Sequence, residues 1–168
     1  MFVYIIEWLQ SINNIKVTIF FVAFYKKNIG WQVKKFNAYD NDPSVQRPRS
    51  NVQYLDISIP QPSLPYHDWV MCLQILKFIP PNFQEFALFN MARLASRGLV
   101  ISWVPPDQEE LQNLNDNIRD YVENKFHSFC FIKDTNLTNI AKQYAFIQMV
   151  RTNLIIFTRN NSCNFNSF

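Results

Sequence analysis

The stretch HDWVMCL, from His67 to Leu73, is apolar at every position after Asp68. A strand with one face in water alternates apolar and polar residues, whereas a strand covered on both faces reads as a continuous apolar run. The stretch GLVISWV, from Gly98 to Val104, has nearly the same character. Because a helical segment separates the two, the sequence predicts an α/β domain whose largely parallel sheet carries helices on its faces.

Strands and helices alternate along the chain from Trp31 onward. The predicted strands cover residues 33–39, 52–57, 68–73, 99–104, 128–132 and 150–158. The predicted helices cover residues 82–97, ended by Gly98, part of 107–126 after a polar loop, and 135–146, with Thr135 as the N-cap. The long last strand follows a short helical segment, as in sheets whose final strand inserts antiparallel. Trp69 and Trp103 each stand between a polar residue and a valine, so both are predicted to be buried on strands.

The first 29 residues fit this alternation least well. The apolar run at 15–25 spans only 11 residues and contains Lys16, whereas a membrane span needs about 20 residues. We interpret it as a buried element rather than a targeting or membrane-surface segment. Its β-branched and aromatic content favours a strand, while Lys26, Lys27 and Gly30 are typical of a helix end. The predicted division is an atypical apolar segment at 1–29, a domain at 30–159 and a flexible tail at 160–168.

Composition argues against several classes of function. The net charge is only +3 and the basic residues are scattered, which argues against a nucleic-acid surface. Cys72, Cys130 and Cys163 lack the spacing of metal ligands, and their odd number argues against a disulfide framework, so a reduced, cytoplasmic setting is expected. Glycine occurs only at Gly30 and Gly98, which rules out any Gly-x-Gly phosphate-binding loop within these 168 residues.

The residues from Asp68 to Pro80 resemble the fourth-strand motif of a group of class I S-adenosylmethionine-dependent methyltransferases, roughly D-W-V-x-S-L-E-V-x-E-H-I-P. The matching residues are Asp68, Trp69, Val70, Leu73, Ile79 and Pro80. The similarity continues through Phe83, Asn90, Ala92 and Arg93, and through Val100–Val104, which is similar to V-L-S-W-A. The resemblance covers roughly residues 30–159. It implies a Rossmann-like methyltransferase sheet, mostly parallel, with the last strand antiparallel.

The resemblance also implies a set of residues for binding S-adenosylmethionine at the carboxyl ends of the strands. Asp40 would accept hydrogen bonds from the ribose hydroxyls, and Asp56 would face the adenine amino group. The other implied residues are Leu55 or Ile57, packing on the ring, and Asp68, Cys72, Leu73 and Gln74, bordering the methionine moiety. An ordinary turn aspartate at Asp40 and a strand-end capping residue at Asp56 are the alternatives.

Three departures from the family pattern bear on activity. The opening strand and its Gly-rich loop have no recognised counterpart, so the sheet is predicted to be incomplete at its N-terminus. The family's E-V-x-E-H is replaced by residues 74–78, QILKF, which removes both carboxylates and the imidazole. The G-Q-G-G-x-x-H-x-N loop is replaced by residues 107–115, DQEELQNLN, which lack its glycines and histidine.

These departures predict a methyltransferase-like domain that is degenerate or inactive. Two alternatives remain open: an active methyltransferase whose cofactor floor is rebuilt by residues 1–29, and a non-catalytic interaction module. A sheet without its first strand would expose a central edge, which favours pairing with a protein partner.

Overall fold

The computed structural model describes residues 16–20, 35–41, 52–103, 112–145 and 147–163. Seven strands are present in these ranges: β1 Lys16–Phe20, β2 Lys35–Asp40, β3 Val52–Tyr54, β4 His67–Leu73, β5 Ala95–Ser102, β6 Phe131–Lys133 and β7 Leu154–Arg159. The described α-helices are α1 Pro81–Leu94, α2 Gln112–Ser128, α3 Thr135–Tyr144 and α4 Gln148–Asn153, and a 3₁₀ turn covers Leu76–Phe78. Among these described helices, none has both the length and the apolar character that crossing a bilayer would take.

All seven strands belong to one sheet, in the order β3-β2-β1-β4-β5-β7-β6. β1, β2, β3, β4 and β5 run parallel to one another, and β7 runs antiparallel to both β5 and β6. The predicted α/β class, with a mostly parallel sheet and an antiparallel last strand, is therefore confirmed. The predicted adjacency of the strands at 68–73 and 99–104 is confirmed as well, because β4 pairs directly with β5.

The central strand corrects the prediction that the sheet lacks its first strand. Lys16–Phe20 pairs with β2 on one side, where Phe20 lies beside Tyr39, and with β4 on the other, where Phe20 lies beside Cys72. The sheet therefore begins before residue 30, and the open choice between strand and helix for this part of the chain is settled as strand. The expectation of a protein partner loses its basis, because β1 fills the edge that the partner was to cover.

Several element boundaries differ from those predicted because tertiary context overrides local preference. α1 ends at Leu94 rather than at residue 97, since Ala95–Gly98 already pairs with the start of β4. β3 stops at Tyr54 instead of residue 57, and residues 150–153 are helical rather than part of the last strand. The fifth predicted strand begins at Phe131 because α2 continues to Ser128.

The N-cap of α3 is Asp134, one residue before the predicted Thr135. Its carboxylate accepts a hydrogen bond from the Leu137 backbone N–H at 2.8 Å, which satisfies one of the free donors at the helix start. Thr138 then joins α3 to the sheet, because its hydroxyl accepts a hydrogen bond from the Ile156 backbone N–H at 2.9 Å.

Gly98 does not end a helix but lies in β5, opposite Trp69 on β4. A Cβ atom at this position would lie 2.3 Å from the Trp69 ring. The indole therefore packs directly on the backbone of the neighbouring strand, and only glycine leaves room for it. Trp69 is buried on a strand as predicted. Trp103 is only partly buried and follows the end of β5, so the prediction is wrong for its placement on a strand.

The amino-terminal edge of the sheet, where the parallel strands begin, is held by Arg159 at the end of β7. Its guanidinium donates hydrogen bonds to the carbonyl oxygens of Ala92 and Ala95, both at 2.7 Å, where α1 ends. It also lies 4.3 Å from the centre of the Phe131 ring. A cation at the negative end of a helix dipole, stacked on an aromatic face, stabilises this corner. Burial lowers the pKa of Arg159 from its ordinary value.

Cys130 and Cys163 form a disulfide at the same edge, with their Cα atoms 5.5 Å apart. The antiparallel pairing of β6 with β7 brings residues 130 and 160 together, and the Asn160 N–H donates to the Cys130 carbonyl at 2.8 Å. The expectation that the odd cysteine count excludes a disulfide is therefore wrong, because Cys72 is the unpaired one. Residues 160–163 are likewise fixed to the sheet, so the predicted flexible tail does not begin at 160.

We expect Gly98→Ala to lower the free energy of unfolding by about 1–3 kcal/mol, because the added methyl group displaces the buried Trp69 ring. Chemical denaturation followed by circular dichroism measures this. Trp69→Leu removes the ring from that space, so the penalty of Gly98→Ala should shrink in the Trp69→Leu background. Equal penalties in the two backgrounds would contradict the contact.

Thiol titration tests the pairing of the cysteines. The native chain should show no thiol accessible to Ellman's reagent, because Cys72 is buried and the other two are bonded to each other. Denaturant without reductant should reveal one thiol, and reduction in denaturant should reveal all three. Two or three thiols in unreduced, denatured protein that has been purified in air would contradict the disulfide.

Candidate functional site

The carboxyl ends of the four inner parallel strands lie level with one another. Residues Tyr39, Phe20, Cys72 and Ile101 are paired side by side across β2, β1, β4 and β5. One position further along, Asp40 ends β2, Leu73 ends β4 and Ser102 ends β5. Adjacent strands are about 4.8 Å apart, so Asp40 and Leu73, which are separated by β1, lie roughly 10 Å from each other. In open α/β sheets this edge is where ligands bind.

Asp40 is deeply buried at this edge, with only 2% of its surface exposed. Its backbone carbonyl accepts a hydrogen bond from the Leu55 N–H at 2.9 Å, which joins the end of β2 to the chain that leaves β3. A carboxylate in such a protected position forms stronger hydrogen bonds with a ligand's hydroxyl groups than it would in water. The structure thus brings Asp40 and Leu55, two of the residues implied by the resemblance, next to each other.

Asp56 is engaged by its own loop. Its Oδ1 accepts hydrogen bonds from the Ser58 N–H at 2.9 Å and from the Ser58 hydroxyl at 2.5 Å. The Gln61 side-chain amide donates to the Asp56 carbonyl at 2.6 Å. These contacts agree with the capping alternative for Asp56. Of its two apolar neighbours, Leu55 bonds to the Asp40 carbonyl, whereas Ile57 is buried in the core.

At the end of β4, Gln74 adopts a left-handed backbone conformation with φ of 66°. Its backbone N–H donates to the Ser102 carbonyl at 2.9 Å, and its side-chain amide lies 2.6 Å from the Ser102 hydroxyl. The Gln74 Oε1 atom is buried and has no hydrogen-bond partner among the described residues. A strained residue with an unused polar atom at the edge of a sheet is typical of a ligand-binding position.

The same loop lacks a group that accepts a proton near neutral pH. Residues 74–80 contain neither a carboxylate nor an imidazole, and Phe78 stands where the family has a histidine. The Phe78 side chain is 57% exposed. Burial raises the pKa of the Cys72 thiol to about 12, so this thiol stays protonated and is not a nucleophile under physiological conditions.

Asp68 does not belong to the candidate site. It is the second residue of β4, five positions before Leu73, and therefore lies near the opposite edge of the sheet. A strand advances about 3.3 Å per residue, which puts Asp68 about 16 Å from Leu73. The resemblance implies a position beside the methionine moiety, which this place at the opposite edge does not support. His67 lies at the same edge, where its Nδ1 is 2.9 Å from the Pro65 carbonyl, consistent with a structural histidine.

Three residues that contact the site or the β3–β4 connection were not assigned a role from the sequence: Ser102 in the site, and Asn90 and Arg93 on the connection. All three belong to the motifs on which the family resemblance rests, so the sequence contained them but did not indicate what they contact. Their contacts run to residues 28 to 33 positions away in the chain, which only the fold brings together.

Comparison with known proteins gives a consistent result. The sequence matches no protein-family model and no curated protein. Among solved structures, the TehB-like SAM-dependent methyltransferase of Corynebacterium glutamicum gives a TM-score of 0.60 at 14% identity, over 94% of this chain and 88% of that one.

Two further solved structures are similar to this chain. Magnesium protoporphyrin IX methyltransferase of Synechocystis, with bound SAH, gives a TM-score of 0.59 at 13% identity, over 93% of this chain and 80% of that one. The N-methyltransferase NodS of Bradyrhizobium japonicum, in complex with SAH, gives a TM-score of 0.57 at 11% identity, over 94% of this chain and 84% of that one. The chain therefore has the fold of the class I S-adenosylmethionine-dependent methyltransferases.

Proposed function

We propose that this chain is a methyltransferase-like domain that binds S-adenosylmethionine or S-adenosylhomocysteine and is degenerate as a catalyst. The observation that carries the proposal is the contrast between two strand ends at one edge of the sheet. The end of β2 keeps a buried carboxylate, Asp40, whereas the loop after β4 keeps an amide and apolar side chains in place of acids and a histidine.

The chemistry of the β2–β3 side fits the nucleoside half of such a cofactor. Asp40 offers a carboxylate acceptor for two neighbouring ribose hydroxyls, and Leu55, which is only partly buried, offers apolar surface for the adenine ring. Gln74 Oε1 offers an acceptor about two strands away, within reach of the amino acid half of the same molecule. The solved methyltransferases of Synechocystis and Bradyrhizobium hold SAH, which supports the choice of ligand.

The β4 side supports the loss of catalysis. General acid–base groups typically contribute about 10²–10⁴-fold to a rate, and residues 74–80 supply none. Ser102 is buried and already bonded to Gln74, and the Cys72 thiol stays protonated. In addition, residues 21–29, which directly follow β1, contain no glycine, and glycine is the residue that lets backbone N–H groups approach a cofactor closely. The first glycine after β1 is Gly30, ten residues beyond the end of the strand.

An active methyltransferase is the second candidate, and the presence of β1 favours it. A parallel strand between β2 and β4 supplies the middle of the floor on which a cofactor lies. Some methyl acceptors are already deprotonated or carry a free lone pair, and such acceptors need positioning rather than a general base. Activity measurements decide between the two candidates.

Asp40→Asn should weaken binding of S-adenosylhomocysteine at least about tenfold, because the variant keeps the shape of the side chain but loses the charge of its hydrogen bonds. Isothermal titration calorimetry measures the affinity. Asp68→Asn makes the same change at the opposite edge of the sheet and should leave the affinity within about twofold. Equal affinities for wild type and Asp40→Asn would remove Asp40 from the site.

The purified chain should show no methyl transfer above background with tritiated S-adenosylmethionine and a panel of small-molecule and protein acceptors. The double variant Gln74→Glu, Phe78→His restores two side chains of the family motif but not the glycine loop, so it should remain inactive as well. Transfer by the wild-type chain that Asp40→Asn reduces would overturn the degenerate assignment and establish the active candidate.

A further inference from the structure

The connection from β3 to β4 carries no helix of its own. Residues 55–66 are described throughout and contain only turns, because Pro60, Pro62 and Pro65 exclude a helix and supply no backbone N–H. Parallel strands are usually joined by a helix that packs on the sheet and fixes the geometry of the crossover. This connection therefore needs support from outside itself.

Asn90, in α1, supplies that support with all of its hydrogen-bonding groups. Its side-chain nitrogen donates to the carbonyl oxygens of Ile57 at 2.8 Å and Ile59 at 2.7 Å, and its Oδ1 accepts from the Gln61 N–H at 3.3 Å. Asn90 is only 1% exposed. An asparagine side chain can form about this many bonds, so the residue is committed to three backbone groups of one loop.

Arg93 lies one helical turn further along the same face of α1. Its guanidinium donates to the Gln61 carbonyl and lies 5.6 Å from the centre of the Tyr66 ring. Asn90 and Arg93 thus hold both the N–H and the C=O of Gln61. Gln61 in turn donates from its side chain to the Asp56 carbonyl, which extends the support to the start of the loop.

We propose that Asn90 and Arg93 are positioning residues for the nucleoside side of the cofactor site. They hold the β3–β4 connection against α1 in place of a crossover helix, and so keep Leu55, whose N–H bonds to the Asp40 carbonyl, beside Asp40. This inference rests on the proposed function for its ligand, but the support of the loop is a separate property that can be measured without any ligand.

The physical consequence of losing the support is a loop with several conformations. Without the Asn90 amide, two carbonyl groups and one N–H lose their partners, and the loop can regain hydrogen bonds only by moving toward water. A ligand must then order the loop as it binds. If only a fraction of the molecules has the binding-competent conformation, the apparent affinity falls in proportion to that fraction. We therefore expect a weaker affinity for the nucleoside and no structural change at the distant β6–β7 edge.

The test compares Asn90→Ala and Arg93→Met with Thr138→Val in the full-length chain. Thr138→Val breaks a buried hydrogen bond between α3 and β7, and therefore destabilises the fold without touching the β3–β4 connection. Hydrogen exchange should show faster exchange at the Gln61 amide in both α1 variants and unchanged exchange there in Thr138→Val. Arg93 is partly exposed, so Arg93→Met is expected to fold even if Asn90→Ala does not.

Calorimetry with S-adenosylhomocysteine and with adenosine, well below the melting temperature of each variant, gives the second readout. Both ligands should bind about tenfold more weakly to Asn90→Ala and more weakly to Arg93→Met, and within about twofold of wild type to Thr138→Val. Two results in Asn90→Ala and Arg93→Met would overturn the positioning role but not the proposed function. One is faster exchange at Gln61 with unchanged affinities, and the other is unchanged exchange at Gln61. A wild-type chain that binds neither ligand would overturn the proposed function, and the positioning role would fall with it.

Discussion

The rest of the sheet depends on backbone pairing along both sides of β1. Lys16–Phe20 pairs with five residues of β2 and with four residues of β4, and it is the described strand that lies between these two. The two halves of the candidate site lie on either side of this strand: Asp40 on β2 and Gln74 just after β4. The hydrogen bonds of a parallel ladder fix the register between strands. β1 therefore fixes both the distance between the two halves and their relative position along the strand direction.

This arrangement explains which parts of the fold local sequence could predict. β4 and β5 were recognisable because a strand covered on both faces is apolar without interruption, and their pairing follows from that burial. β1 was ambiguous because KVTIF continues into further apolar residues, and the lysines and glycine beyond them are typical of a helix end. Its identity as a strand depends on partners 19 and 52 residues away, which no local pattern contains.

The place of a residue along its strand decides which of the implied site residues lie at one edge of the sheet. Asp40, Cys72, Leu73 and Gln74 lie at the carboxyl edge because each ends or follows a strand whose direction the parallel sheet fixes. Asp68 shares a motif with them yet begins the strand, so the same parallel geometry places it at the other edge. Cys130 and Cys163 pair for a similar reason, because the antiparallel pairing of β6 with β7 brings their two segments together. The number of cysteines in the sequence does not contain this information.

The two edges of the sheet therefore differ in whether their polar groups are satisfied within the protein. At the amino edge, Arg159 and the disulfide join α1, β6 and β7 through contacts that are complete within the protein. At the carboxyl edge, Gln74 keeps a buried oxygen without a partner among the described residues, and its backbone is held in a strained conformation. An unused buried acceptor costs about 1–3 kcal/mol, which a ligand that donates to it would recover on binding. Gln74 is therefore a second point of contact for the proposed ligand, on the other side of β1 from Asp40.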